Sequence, residues 1–196
     1  RVGNDELDAG LATSDAWIRE RTGIAARHVA GEGESTTSLA AEASTRAIRQ
    51  AGIDPSEVDL LVVATSTPDS PCPSTAARVA RLLGIRAPGF DLNSACTGFA
   101  HALHVGAALM ADPAVSTVLV VGADRYTSLI DPGDRSTAIL FGDGAGAAVI
   151  AAAPAVPGGP GIVSSDLGGD PGALDVVEVP PGREHLVMDG PELFRR

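Results

Sequence analysis

Two runs along this chain are apolar at every interior position, Asp59 to Thr65 and Thr117 to Ala123. Continuous apolar runs this short predict strands covered on both faces. Phe90 to Asn93 reads as another strand. The glycine-rich Phe141 to Ile150 passes into a fourth. Between them the apolar period lengthens to that of helices. Asn4 to Arg21 reads as a polar helix, with Thr13 or Ser14 capping Asp15 to Glu20. Ser38 to Gln50 is amphipathic and closes at Gly52. Pro73 opens a helix at its first turn that runs to Leu83 and stops at Gly84. An alanine-rich helix spans Thr97 to Asp112, and Asp124 to Ser136 is irregular and polar. After Ala153, Pro and Gly dominate to Gly161; a strand is expected through Ser165 and a flexible surface loop from Gly168 to Gly182. Phe194-Arg195-Arg196 looks like the first turn of a further helix. Helices alternating with apolar strands predict an α/β layered fold with a largely parallel sheet.

The 196 residues, 44% of them hydrophobic, are enough for one substantial core or two compact lobes. A net charge of -11 argues against general nucleic-acid binding, which needs basic surface. All 14 cationic side chains are arginine. Guanidinium groups are therefore the sole cationic means of holding phosphate or carboxylate. Two cysteines make no disulfide framework and point to a reducing, cytoplasmic compartment. No apolar run approaches the roughly 20 residues of a membrane span, and no signal peptide is visible. Arg1 is not an initiator residue, so an earlier start is expected.

The chemistry gathers at Cys96, where a strand-like run meets a helical one. A thiol at that turn can face a substrate, and helix amide dipoles favour a thiolate placed there. A buried, inert cysteine is the competing reading. Trp17, the only tryptophan, lies among Arg19 and Arg21; with no further context it reads as a core anchor. Gly142-x-Gly144-x-Gly146 precedes a strand, whereas a dinucleotide fingerprint opens a helix, so the glycines read as tight packing. His28, His101, His104 and His185 make no metal-ligand pattern with either cysteine. His101 and His104 follow Cys96 on one helix by five and eight residues; position five points well away, and such bases usually come from distant segments, so neither is expected to be its base.

Four stretches together carry a resemblance: Thr13-Ser-Asp-Ala-Trp-Ile-Arg-Glu-Arg-Thr-Gly-Ile24, Asn93-Ser-Ala-Cys-Thr-Gly-Phe99, Asp134-Arg135 and Phe141-Gly-Asp-Gly-Ala-Gly-Ala147. In collinear order over the whole chain, they resemble β-ketoacyl-acyl carrier protein synthase III. That family has a thiolase-like layered α/β/α fold built from a duplicated unit, and its relatives prime aromatic polyketides. The resemblance implies that Cys96 takes an acyl group from an acyl-CoA thioester. Decarboxylation of malonyl-acyl carrier protein would then supply the carbanion that attacks the acyl-cysteine. It further implies that Trp17 stacks on the coenzyme A adenine, with Arg135 on its other side. Arg21 would contact phosphate, Thr13 would make a polar contact at the same mouth, and Phe141 and Phe194 would line the acyl tunnel. No metal and no cofactor beyond the coenzyme A substrate is implied. The complete enzyme is expected to be a cytoplasmic homodimer that binds neither nucleic acid nor membrane.

Several expected parts are not in the chain: a histidine in Pro-His-Gln-Ala-Asn, an asparagine in Gly-Asn-Thr, and the first strand, taken as the central one of the first half. Residues 1–153 are thus expected to be the N-terminal half, and 154–196 a connecting region leading into the next element. The basic patch that docks an acidic carrier protein is expected beyond them. Cys72 stands where many members carry a phenylalanine that floors the partner's acyl pocket, which implies a deeper pocket for longer or branched starters. Pro191 stands where an asparagine often contacts the coenzyme A arm, and it offers no such donor. Two alternatives stay open, an acyltransferase without decarboxylative condensation and a non-catalytic partner that binds acyl-CoA or carrier protein.

Overall fold

The computed structural model describes residues 1–7, 9–153, 161–193 and 195. Val2–Gly3 (β1) leads through 3-10 turns at Asn4–Glu6 and Ala9–Leu11 to the helix Asp15–Thr22 (α1). Asn4 to Arg21 is therefore not one helix. Ala12 takes a left-handed φ of 48° ahead of it, and Ser14 restarts the helix by accepting the Trp17 N–H at 3.2 Å. Gly23, at φ 73°, ends it. Ala26–Arg27 (β2) pairs antiparallel with β1. The next helix, Thr36–Ala51 (α2), starts earlier than the pattern predicted, because Ser35 and Ser38 exchange side-chain-to-backbone bonds as a capping box.

Leu60–Ala64 (β3) is followed by Thr75–Leu83 (α3), capped by Ser74. Pro73 thus precedes the cap instead of opening the first turn, because the Ser74 hydroxyl accepts the Ala77 N–H and takes the cap position itself. Gly89–Leu92 (β4), a 3-10 turn at Ala95–Thr97 and the helix Gly98–Leu109 (α4) come next. Thr117–Arg125 (β5), a 3-10 turn at Tyr126–Leu129, Arg135–Ala138 (α5) and Asp143–Ala151 (β6) follow. Among the described residues, 162–170 form no strand, and Val163 there is 95% exposed. The expected loop from Gly168 contains a 3-10 turn, Pro171–Val176, and Val177–Glu178 (β7), which pairs antiparallel with Val187–Met188 (β8). Gly190–Leu193 (α6) begins ahead of the expected helix turn, of which Phe194 and Arg196 lie outside the described residues. Among the described residues no helix is long and apolar enough to cross a membrane.

The chain forms two compact units, one from Arg1–Glu32, Arg125–Gly144 and Gly169–Arg196, the other from Gly33–Asp124 and Ala145–Gly168. The second is organised by a four-stranded sheet in the order β4-β3-β5-β6. β3 pairs in parallel with β4 on one side and with β5 on the other, from Leu60↔Val118 to Ala64↔Gly122. The sheet has no vacancy at its centre, contrary to the expectation of a missing central strand. The two continuously apolar runs hydrogen-bond directly, and that pairing buries both.

Alternate residues serve opposite faces. Leu61, Val63, Leu119 and Val121 pack with Ala40 and Ile48 of α2 and Ala76 and Val79 of α3. Leu60, Val62, Val118 and Val120 pack with Ala102 of α4. Small residues let α4 lie close: a Cβ on Gly106 would stand 3.2 Å from Val118, and one on Gly98 at 3.2 Å from Ala64.

Carboxylates fix the helix starts on this sheet. Asp91 of β4 accepts the Thr75 and Ala76 N–H groups, each at 2.7 Å, at the start of α3. Asp69 accepts those of Thr36 and Thr37 at 2.9 and 3.0 Å, at the start of α2. Burial works to raise the Asp69 carboxyl, but hydrogen bonds from Thr37, Ser35 and Thr36 outweigh it and hold it below the ordinary aspartate value. Because the folded value is the lower one, this stabilisation is complete above the unfolded value and is lost as pH falls through the folded one. Asp69→Ala is expected to cost about 1 kcal/mol at neutral pH. The gap from wild type should close in acid below the carboxylate range. Urea denaturation at both pH values checks this, and a gap that persists in acid would mean the contribution is not electrostatic.

Candidate active site

Cys96 sits in the 3-10 turn between β4 and α4, exposed to solvent. Ala95, just before it, has a φ of 44°. For a residue with a Cβ this left-handed conformation costs roughly 1–2 kcal/mol and persists only where neighbours impose it. The neighbours are visible. Asn93 Oδ1 accepts the Ala95 N–H at 3.1 Å. The Ser94 carbonyl accepts the Thr97 N–H at 3.1 Å and its hydroxyl at 2.8 Å. The thiol is therefore held on a bent loop at the C-terminal ends of parallel strands. His101 Nδ1 lies 3.1 Å from the Thr97 carbonyl oxygen and His104 Nδ1 2.6 Å from Ser165 Oγ. Each of these two Nδ1 atoms is thus engaged away from the thiol.

Cys72 is exposed in the loop ahead of α3. Its carbonyl accepts the Ser70 hydroxyl at 3.2 Å, and Arg78 donates to that same hydroxyl at 2.7 Å. This ties the loop back to the helix that follows it.

The other unit brings together Trp17, Arg21 and Arg135. The Arg21 guanidinium carbon is 4.4 Å from the Trp17 ring centroid and that of Arg135 is 5.1 Å away. Both fall within cation–π range. Local chemistry selects these two arginines. Arg19, on the same helix, is drawn aside by Asp15, Nε to Oδ2 at 2.7 Å. Arg135 opens α5, whose cap Asp134 accepts the Ser136 N–H at 2.9 Å and the Thr137 hydroxyl at 2.7 Å. Burial works to raise the Asp134 carboxyl, but bonds from Thr137 and Ser136 prevail and keep it below the usual range, anionic beside Arg135.

These residues line a cleft of about 770 Å³ together with Met188, Asp189 and Pro191. Met188 and Asp189 escaped the sequence reading. They reach the cleft from the end of the chain through the β7–β8 pair, and no local pattern marks them.

Phe141 does not line that cleft. It stacks on Tyr126 at 5.2 Å and lines a separate apolar cavity of about 260 Å³ with Leu7, Leu11, Val29 and Ile130. Thr13 lies just before the α1 cap; its hydroxyl is buried with no partner among the described residues, and it is not one of the cleft residues. Phe194 lies outside the described residues.

The glycine pattern divides. A Cβ on Gly142 would come within 2.7 Å of the His28 carbonyl oxygen, whereas Gly144 and Gly146 have open space on the exposed side of β6. Tight packing therefore accounts for Gly142 alone. Its neighbour Asp143 accepts N–H groups from Ala30 and Thr127 at 2.8 and 2.9 Å, which fixes the entry to β6.

Comparison with known proteins places this arrangement. The model of the 3-oxoacyl-[acyl-carrier-protein] synthase III family matches residues 90–171, which include Cys96. The β-ketoacyl-[acyl-carrier-protein] synthase III of Rhodospirillum rubrum is 46% identical over 205 residues, a match covering 100% of this chain and 63% of that protein. The chain is thus similar to the synthase III enzymes along its whole length. The crystal structure of the Thermus thermophilus β-ketoacyl-[acyl carrier protein] synthase III superimposes with a TM-score of 0.92 at 37% identity, over 99% of this chain and 63% of that one. The priming β-ketosynthase of the R1128 polyketide pathway superimposes at 0.86 with 37% identity, over 99% and 60%. The fold is thus the thiolase-like one of the synthase III enzymes, and this chain spans about 63% of the length of the relatives it matches.

The turn before Cys96 is open to a direct test. Ala95→Gly removes the cost of the left-handed alanine and adds about 0.5–1 kcal/mol of unfolded-state freedom. The net expectation is unchanged stability or a gain of up to about 1.5 kcal/mol. A lower urea midpoint than wild type would show that the turn is not held at positive φ.

Proposed function

We propose that the whole protein condenses an acyl-CoA starter with malonyl-acyl carrier protein to give a 3-oxoacyl-acyl carrier protein. In this reading the Cys96 thiolate attacks the thioester carbonyl, coenzyme A leaves as its thiolate, and the acyl group stays on sulfur. Loss of carbon dioxide from the malonyl group leaves a carbanion. The carbanion attacks the acyl-cysteine carbonyl and returns the sulfur as thiolate. The observation that carries this reading is the pairing of two features in a synthase III chain, an exposed cysteine at a strained strand-to-helix turn and a tryptophan flanked by two arginines.

The Trp17 cleft is the proposed coenzyme A site. Its indole face and the Arg135 guanidinium suit the two faces of adenine, and Arg21 suits phosphate. Arg135 already contacts the indole at 5.1 Å, so a base stacked between them requires that guanidinium to swing outward. Thr13 remains proposed as a polar contact at the mouth, and Phe141 and Phe194 as tunnel lining. Pro191, in the cleft wall, supplies no N–H to the pantetheine arm.

Residues 1–153 are proposed as the N-terminal thiolase-like half of a cytoplasmic homodimer. Support for the dimer comes from β4, an edge strand of its sheet with Phe90 37% exposed. Similarity to the β-ketoacyl-[acyl-carrier-protein] synthases III supports fatty acid initiation, and similarity to a polyketide-priming synthase supports a starter-unit role in that chemistry as well.

Radiolabelled acyl-CoA tests the central step. Label should be retained by wild type and absent from Cys96→Ala, while Trp17→Ala should raise the half-saturating concentration about tenfold, within the range of one lost base stack. Equal label on wild type and Cys96→Ala would favour a non-catalytic binder. Chain-length preference tests Cys72. Branched or longer acyl-CoA should compete well in wild type and poorly after Cys72→Phe, whereas strict preference for acetyl-CoA in wild type would sink the deeper-pocket idea.

A further inference from the structure

The three parallel strands of the sheet end side by side, and a chain of hydrogen bonds runs across those ends to the cysteine turn. It begins at Asp124, near the end of β5. Asp124 Oδ1 accepts the Ser66 N–H at 2.8 Å, the Thr67 hydroxyl at 3.1 Å and the Thr65 hydroxyl at 3.2 Å. These three residues follow β3, and Thr65 also donates its N–H to the Leu92 carbonyl at the end of β4, at 3.1 Å. The carboxylate is thus a fixed point for the loop after β3. Burial raises its proton affinity above the ordinary aspartate value, against the pull of Ser66 and Thr67.

Ser66, anchored through its backbone, turns its hydroxyl the other way and donates to Asn93 Oδ1 at 3.1 Å. The same oxygen accepts the Ala95 N–H, also at 3.1 Å. An Asn oxygen that accepts from the residue two places on makes an Asx turn, which is weak alone. Here a second donor, anchored on a different strand, fixes the amide. That is the local cause of Ala95 staying at a φ of 44°. The next residue is Cys96.

We infer that Ser66 and Asn93 are positioning residues for Cys96: they hold the turn that aims its thiol, with Asp124 as their anchor. This rests on the proposed role of Cys96 as the acyl-accepting nucleophile. Neither side chain touches the sulfur. Their effect is to restrict the turn to the one backbone conformation that the strained alanine would otherwise leave, and a small error of aim at the attacking atom is costly in rate.

Single-turnover acylation of the full-length protein by labelled acyl-CoA provides the test. Ser66→Ala and Asn93→Ala should each lower the maximal acylation rate about tenfold, equivalent to one hydrogen bond's contribution. The half-saturating acyl-CoA concentration should hold, because the Trp17 cleft is untouched. Ser66→Thr keeps the hydroxyl and should restore most of the rate, and the double variant should be little worse than either single one. Wild-type maximal rates in both alanine variants would overturn the proposal. So would a Ser66→Thr variant no better than Ser66→Ala.

If wild type takes no acyl group at all, the condensing reading fails first. Peptide-resolved alkylation by iodoacetamide then decides the positioning separately, with the exposed Cys72 as the internal standard. A Cys96-to-Cys72 rate ratio altered by Ser66→Ala and recovered by Ser66→Thr supports it; an unchanged ratio overturns it.

Discussion

Parallel pairing of Leu60–Ala64 with Val118–Gly122 is the constraint on which the sheet-bearing unit depends. Strands this apolar must be covered on both faces, because each fully buried Val or Leu is worth roughly 1.5–3 kcal/mol relative to exposure. α2 and α3 cover one face and α4 the other. The requirement extends to the connections. Parallel strands need crossovers, and the crossovers return every strand end to the same edge of the sheet. The cysteine, its turn and the loop after β3 meet at that edge for this reason, as ligand sites do in open α/β sheets.

Carboxylates are the second recurring device. Asp69 and Asp91 terminate helices, Asp59 takes the Ser116 and Thr117 N–H groups at 2.9 Å each, Asp143 fixes the entry to β6, and Asp124 anchors the loop after β3. Each satisfies backbone donors at a junction where the regular ladder stops. Much of the acidic excess in this chain is therefore structural. It also gives the junctions near the site a rigidity that serine and threonine alone would not.

The strands were legible because a continuously apolar run has few alternatives in water. Helix ends at Gly23, Gly52 and Gly84 were legible too, since each takes a left-handed φ near 70° that glycine adopts without strain. The errors fall where polar segments decide. The first helix was read too long, because Ala12 at positive φ carries no sequence signal. The Pro73 helix was read one cap too early, because a serine competed with the proline for the start. The strand expected through Ser165 did not form among the described residues, an outcome that no window of sequence contains. At the site, Cys96 stood out from its place where a strand-like run meets a helix, whereas the roles expected of Trp17, Arg21 and Arg135 came only through a family resemblance.

Sequence alone determined the strands, the need to cover the sheet on both faces and the glycine-closed helix ends, since these depend on local composition and period. Tertiary structure alone decided which arginine reaches Trp17, which glycine is truly crowded and which oxygen holds Ala95. It also separated Phe141 from the Trp17 cleft and brought Met188 and Asp189 into it. Those outcomes depend on contacts between residues far apart in the chain, and such contacts exist only after the strands have paired.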